Sequence, residues 1–212
     1  AYWRVKHGLG STPKLAIFKK RSSAAGWYVW HHKLGGTQDQ KTVQFQSTNG
    51  VATESDILFG NTDWSSTEFE IGGWDVVNRD GTTYVAYMFD EVQGYSKFGS
   101  YKGNGNADGP FIYTGFKPKY FVLKNVTASS GSGGQHWQIS DTVRHPDNPL
   151  DLTLFVEDNA SEGGTWSIKD FLSNGVKIRG TNFAMNTSGD TYIYWAFGQS
   201  IVGSNDVPAT AR

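Results

Sequence analysis

Twelve residues near the end of the chain, Asn186 to Phe197, have a counterpart 108 residues earlier, Asn78 to Phe89. Asn78, Gly81, Thr83, Tyr84 and Phe89 recur as Asn186, Gly189, Thr191, Tyr192 and Phe197. A chain that carries its own plan twice must close the same set of contacts twice, which removes most folds from consideration. In each copy a polar turn headed by Asn and ended by Gly leads into a strand, because those two residue types tolerate the left-handed backbone such a turn requires. The strand is apolar on both faces, Tyr192, Tyr194 and Ala196 against Ile193, Trp195 and Phe197. A strand of that kind is covered on both sides and belongs at the centre of its unit. Tyr84, Val85, Tyr87 and Phe89 are thereby expected in one core, and Ile193, Trp195 and Phe197 in the other.

The repeat extends outward from this strand. Pro13-Lys14 and the apolar run to Lys19 match Pro118-Lys119 and the run to Lys124, 105 residues on, and Trp27 matches Trp137 at 110. The Gly72-Gly73 turn pairs with Asn174-Gly175 at about 102. Insertions fall in loops while strands keep their length, as gene duplication leaves them.

Short apolar runs lie roughly ten residues apart between Gly, Asn and Pro turns, and no segment keeps a 3.6-residue period. That is the pattern of an all-β sandwich or jelly roll. Leu15 to Lys19, Trp27 to His32, Thr42 to Phe45, Ile57 to Phe59 and Thr82 to Phe89 read as strands of the first unit, with a hairpin over 69–77. Ser96 to Tyr101, Pro110 to Thr114, Tyr120 to Lys124, Trp137 to Ser140 and the alternating Leu152, Leu154 and Val156 read as strands of the second. Asn174-Gly175 marks a second hairpin. The expected fold is two tandem antiparallel β-sandwich (jelly-roll-like) domains related by internal duplication, over residues 1–93 and 94–212. Residues 2 to 5 read as the tail of a strand, and the start at Ala-Tyr-Trp suggests an excised fragment or processed product.

Composition excludes several functions. Lys and Arg total 19 against 20 Asp and Glu, a net charge of −1, without the basic stripe that nucleic acid or an anionic membrane calls for. There is no cysteine, so neither a disulfide framework nor thiolate chemistry is available. No apolar run reaches the ~18 residues of a membrane-spanning helix.

Four passages resemble a repeat domain of bacteriophage tail-fibre and related virion proteins, common in marine phages. They are Ser96 to Gly105, Gly109 to Lys119, Asp170 to Gly175 and Gly189 to Tyr194. The resemblance covers nearly all of the second unit and the first from about His7. The first unit lacks the Gly-Asn-Gly strand and carries His31-His32 where the second has Asp141-Thr142. The shared motifs are Gly, Pro and aromatic, so the resemblance implies a β fold and a virion setting, and brings no catalytic residues.

Candidate chemistry is sparse. Gly103, Gly105 and Gly109 approach a dinucleotide fingerprint, but Pro110 opens a strand where a helix N-terminus would have to meet the phosphates. Asn104, Asn106 and Asp108 offer oxygens, though with one carboxylate and no distal Glu for Ca²⁺. His31 and His32 point to opposite faces of a strand and do not chelate one metal. Glu68 with Glu70, and Asp90 with Glu91, lie side by side and do not flank a substrate as hydrolase carboxylates do. Ser132 sits in Ser-Gly-Ser-Gly-Gly, not in a nucleophile elbow. The sequons at Asn125, Asn159 and Asn186 are what a chain rich in Asn, Ser and Thr produces by chance. Asp141, Arg144, Asn148 and Asp151 form the densest polar cluster, suited to holding a long loop.

The expected function is therefore non-enzymatic. It is a virion appendage that meets other virion proteins and attaches to a bacterial surface glycan, with no cofactor, no metal, no nucleic-acid partner and no membrane insertion. The alternatives are a purely structural or decoration protein forming a homo-oligomer, and a glycan hydrolase. The expected binding face is Tyr28, Trp30 and His32, with packing of that face against the second domain or another subunit as the alternative. Two related domains bury the same face, and the second unit has Gln138 and Ser140 where the first has Tyr28 and Trp30. If polar Gln and Ser mark the outside, the aromatic pair is displayed there.

Overall fold

The computed structural model describes residues 2–35, 41–53, 59, 64–127, 135–164 and 167–199. Residues 57, 58 and 132, with their expected strand and loop, lie outside these. Among the described residues the chain is nearly all β, with fifteen strands and one helical turn. It divides into two compact units on either side of Asp90 and Glu91.

The first unit contains β1 (Trp3–Lys6), β2 (Leu15–Lys20), β3 (Trp27–His31), β4 (Lys41–Gln44), β5 (Ala52–Thr53), β6 (Glu68–Ile71) and β7 (Tyr84–Phe89). The second contains β8 (Ser96–Lys102), β9 (Asp108–Tyr113), β10 (Pro118–Asn125), β11 (Gln138–Asp141) and β12 (Leu154–Phe155). It continues with β13 (Lys169–Leu172), β14 (Gly175–Arg179), α1 (Phe183–Asn186) and β15 (Thr191–Gly198). The first unit has a five-stranded antiparallel sheet in the order β5-β4-β3-β2-β7 and the pair β1-β6. The second has the sheets β12-β11-β10-β15-β8 and β13-β14-β9.

Corresponding strands pair in the same register. Leu15↔His31, Ala16↔Trp30, Ile17↔Val29 and Phe18↔Tyr28 in the first unit correspond to Tyr120↔Asp141, Phe121↔Ser140, Val122↔Ile139 and Leu123↔Gln138 in the second. Leu15↔Phe89 and Phe18↔Ala86 likewise correspond to Tyr120↔Phe197 and Leu123↔Tyr194. The turn before the last strand is built from the same bonds in both units. The Tyr84 hydroxyl donates to Asp75 O at 2.6 Å and accepts from Arg79 N at 2.9 Å. The Tyr192 hydroxyl donates to Phe183 O at 2.8 Å and accepts from Thr187 N at 2.9 Å. Asn78 Nδ2 reaches Gly72 O as Asn186 Nδ2 reaches Gly180 O. Gly81 and Gly189 close the two turns at φ of 69° and 83°, which residues with a Cβ seldom adopt.

Those bonds correct one expected correspondence. Gly72 matches Gly180, 108 residues on, and not the Asn174-Gly175 turn. Residues 69–77 form no hairpin: β6 pairs with β1, and 74–77 is a turn closed by Val77 N and Asn78 N on Trp74 O. The second hairpin does form, with Ser173-Asn174 as its loop and Gly175 already paired to Leu172. Gly175 serves close approach, since a Cβ there would lie 2.2 Å from Ile112 O.

The second unit's main core draws on both of its sheets. Phe121, Leu123, Tyr192, Tyr194 and Ala196 come from one, and Ile112, Phe171, Val176 and Ile178 from the other. Ile193 and Trp195 on the opposite face of β15 are buried too, so that strand is covered on both sides as expected. β7 is not. It is the last strand of its sheet, Tyr87 is 46% exposed, and Tyr84, Val85 and Phe89 are half-buried. The four do not form one core. β15 stands inside its sheet between β10 and β8, and no described strand pairs with β7 on the side away from β2.

Candidate functional site

The expected aromatic face is turned inward. Phe18↔Tyr28 and Ala16↔Trp30 are cross-strand pairs, which puts Tyr28 and Trp30 on the side of Phe18 and Ala16. Tyr28 is 9% and Trp30 5% exposed, within a core that also contains Phe59, Trp64, Phe69 and Val77. The Trp30 ring lies 4.4 Å from that of Trp64, and the Tyr28 ring meets Trp74 edge-on at 5.4 Å. His32 falls past the end of β3, half-buried, with its ring 5.1 Å from the His31 ring. The three residues do not make a displayed surface.

The second unit explains the inversion. Gln138 and Ser140 are also buried, because they face the amine of Lys169, itself 1% exposed. Lys169 Nζ donates to Ser140 Oγ at 2.9 Å, Ser167 O at 2.9 Å and Ser167 Oγ at 3.2 Å. Ser167 Oγ in turn donates to Gln138 Oε1, and Gln138 Nε2 donates to Ala184 O at 3.1 Å. Burial, and then the Arg144 charge, pull the Lys169 amine down to about 7. Both units do bury the same face. One lines it with aromatic rings, the other with a hydrogen-bonded amine cage.

The polar loop cluster divides. Arg144 Nε donates to Asp141 Oδ2 at 2.6 Å, Val143 N and Arg144 N donate to Asp141 Oδ1, and Arg144 also pairs with Glu162. Burial raises the Asp141 carboxyl, but these bonds and the Arg144 charge outweigh it and hold the group below its ordinary range. Asn148 exchanges two bonds with the Phe171 main chain, at 2.8 and 3.0 Å. Asp151 meets His145 at 3.1 Å. These contacts tie the loop to β11 and β13.

Other candidates are engaged in local structure. Asn104 Oδ1 and Asn106 Oδ1 each accept a main-chain N–H at 2.9 Å, and Gly103 packs where a Cβ would meet Thr187 O at 2.1 Å. Glu70 is buried with Arg4 Nε at 3.5 Å, and Glu68 lies across from Lys6. The sequon residues Asn125 and Asn186 are fully buried.

Among the described residues, one surface that carries exposed aromatic rings is the outer side of β13-β14-β9. Ile112, Val176 and Phe171 point into the core, so their neighbours point out. Tyr113, Gly175 and Leu172 form one outward row, and Phe111, Lys177 and Asp170 the next. Phe111 is 45% and Tyr113 64% exposed. Gly175 makes room for the first ring: a Cβ there would lie 2.7 Å from Phe111 Cζ. Two ion pairs border the rings, Lys177 Nζ with Asp108 Oδ1 at 2.6 Å and Arg179 NH2 with Asp170 Oδ2 at 2.6 Å. The Lys177 hydrogen bond and charge hold the Asp108 carboxyl below its ordinary value. Exposed aromatic rings beside paired charges suit a ligand with an apolar face and a polar rim. The alternation of β9 was available in the sequence as a signal. Residues 110–114 could be read as a strand, but which side faced solvent depended on a pairing with β14 that sequence does not display.

Residues 2–200 match the family described as Domain of unknown function (DUF7483). No curated protein and no solved structure matches the chain.

Proposed function

We propose that this chain, which belongs to the DUF7483 family, is a non-enzymatic adhesion module of a phage virion appendage, with a bacterial surface glycan as its ligand. It is built from two β-sandwiches that arose by duplication. The shared registers and the shared Asn–Tyr turn support the duplication, and the core drawn from two sheets supports the sandwich. The virion setting rests on the sequence resemblance.

The observation that carries the binding reading is the exposed pair Phe111, whose ring lies over Gly175, and Tyr113 on the same strand face, bordered by the two ion pairs. Aromatic rings stack on the C–H faces of sugars, while a charged border donates to and accepts from hydroxyls. Replacing Phe111 and Tyr113 together with Ser tests it. Binding to host cells and to purified envelope glycans is expected to fall by about tenfold or more, equivalent to ~1.4 kcal/mol. Because both rings stand in solvent, the unfolding midpoint is expected to stay the same. Unchanged binding by the double variant, or no binding by the unaltered chain, refutes the reading. Loss of assembly with other virion proteins in place of glycan binding favours the structural alternative.

A further inference from the structure

Asp108 stands on the face of Phe111 because β9 is bulged. Lys177 and Arg179, two residues apart on β14, pair with Phe111 and Asp108, which are three apart on β9. The extra residue re-aims the strand, so that Asp108 shares the outer face with its cross-strand partner Arg179. Gly109 packs within the bulge without a side chain, since a Cβ there would stand 2.8 Å from Ile178 O. Phe111 and the Asp108–Arg179 pair are thereby set about 7 Å apart along the sheet, two strand residues at ~3.3 Å each.

Each ion pair at this end of the face turns a different member outward. Lys177 Nζ is engaged by Asp108 Oδ1 at 2.6 Å and by Gly109 O, while the Asp108 side chain is 78% exposed. Arg179 Nε and NH2 both hold Asp170 Oδ2, at 2.7 and 2.6 Å, and here the cation is the outer member, 48% exposed. Among the described residues no group bonds Asp108 Oδ2 or Arg179 NH1. A free acceptor and a free donor therefore stand side by side. They are close enough that the Arg179 charge adds to the Lys177 bond and charge in lowering the Asp108 carboxyl.

Resting on the glycan reading above, we infer that the unit recognised here is an uncharged pyranose with two free vicinal hydroxyls. Its C–H face lies on Phe111, one hydroxyl donates to Asp108 Oδ2, and the neighbouring hydroxyl accepts from Arg179 NH1. Asp108 sets the specificity. A uronic acid or a phosphate group meets cations that their own carboxylates already neutralise, and Asp108 is the outer charge of its pair. The cost of desolvating such an anion is not recovered. Hydroxyls give up only bonds to water and regain one donor and one acceptor.

Envelope polysaccharide purified from host cells tests this on the full chain, untreated and after periodate oxidation followed by borohydride reduction. Periodate cleaves the carbon–carbon bond between vicinal hydroxyls and spares isolated ones. Affinity is expected to fall about tenfold or more on oxidation. For the untreated glycan it is expected to change less than about twofold between low and high salt, because no net charge is paired. Asp108→Ala is expected to bind the untreated glycan about tenfold more weakly, and to bind oxidised and untreated glycan alike within about twofold. A purely structural role for Asp108 would not abolish that distinction. Binding that survives oxidation, that falls steeply with salt, or that Asp108→Ala leaves unchanged overturns the inference while the glycan reading stands. No binding of the untreated polysaccharide by the unaltered chain refutes the glycan reading, and the inference with it.

Discussion

Lys169 makes the second unit's stability depend on pH in an unusual direction. Its amine is enclosed by Ser140 Oγ, Ser167 O and Ser167 Oγ, all neutral acceptors. Burial lowers it from 10.5 to about 7. The folded-state pKa therefore lies below the unfolded one, and between them the unfolded chain binds more protons. Stability must rise with pH across that window. At ~1.4 kcal/mol per pH unit the upper bound is about 4–5 kcal/mol, which local relaxation and water entry reduce to on the order of 2–3. Lys124, lowered by burial to about 8 with Glu157 opposing, acts in the same sense. Above pH 10 the sign reverses, because burial pushes Tyr194 up to about 12 and raises Tyr101 and Tyr192 as well. The midpoint of urea unfolding is thus expected to climb from pH 7 to about 10 and fall beyond it. Lys169→Met removes the amine and keeps most of the volume. At pH 7 it trades a costly buried charge for lost hydrogen bonds of about 1–3 kcal/mol, and is expected to match or exceed the unaltered chain. At pH 9 to 10, where the unaltered amine is neutral and fully bonded, the variant is expected to be the less stable. The two stability curves cross. A midpoint that is flat or falling from pH 7 to 9, or a variant with the same slope, refutes the argument.

Trp195→Ala is expected to cost about 3–5 kcal/mol in chemical denaturation, since the ring is buried 5.5 Å from that of Trp137 and its removal leaves a cavity. Tyr192→Phe deletes the hydroxyl that joins Phe183 O to Thr187 N and is expected to cost about 1–2 kcal/mol. Tyr84→Phe removes the same two bonds at a more exposed turn and is expected to cost less, as amide exchange at Arg79 would report.

Strand order along the chain was legible because each unit states it independently. A motif found at offsets of 105, 108 and 110 fixes which segments correspond, and the ladders then pair equivalent residues in both units. Loops were harder to match, because glycines recur for unrelated reasons. Gly72-Gly73 looked like the partner of Asn174-Gly175, yet it is the side-chain bonds of Asn78 and Asn186 that set the correspondence with Gly180. The exposure of β7 was hidden for another reason. Its sequence is as apolar as that of β15, and only the sheet order shows that it stands at an edge.

The choice of face failed on a single physical point. The two units bury equivalent faces, but Gln138 and Ser140 are polar without being exposed. A buried lysine inverts that rule, since its amine needs acceptors that an apolar wall does not supply. Lys169 occupies the first position of β13, directly across from Ile178, whose side chain is in the core. Cross-strand partners share a face, so the lysine had to point inward and the Gln and Ser with it. The β13-β14 register therefore marks Lys169 as buried through Ile178, and the matching registers of β10-β11 and β2-β3 carry Tyr28 and Trp30 inward with it. The same pairing sends Phe111 and Tyr113 outward, because they alternate with Ile112. One register thus decides both the residues withdrawn from the candidate surface and those that replace them.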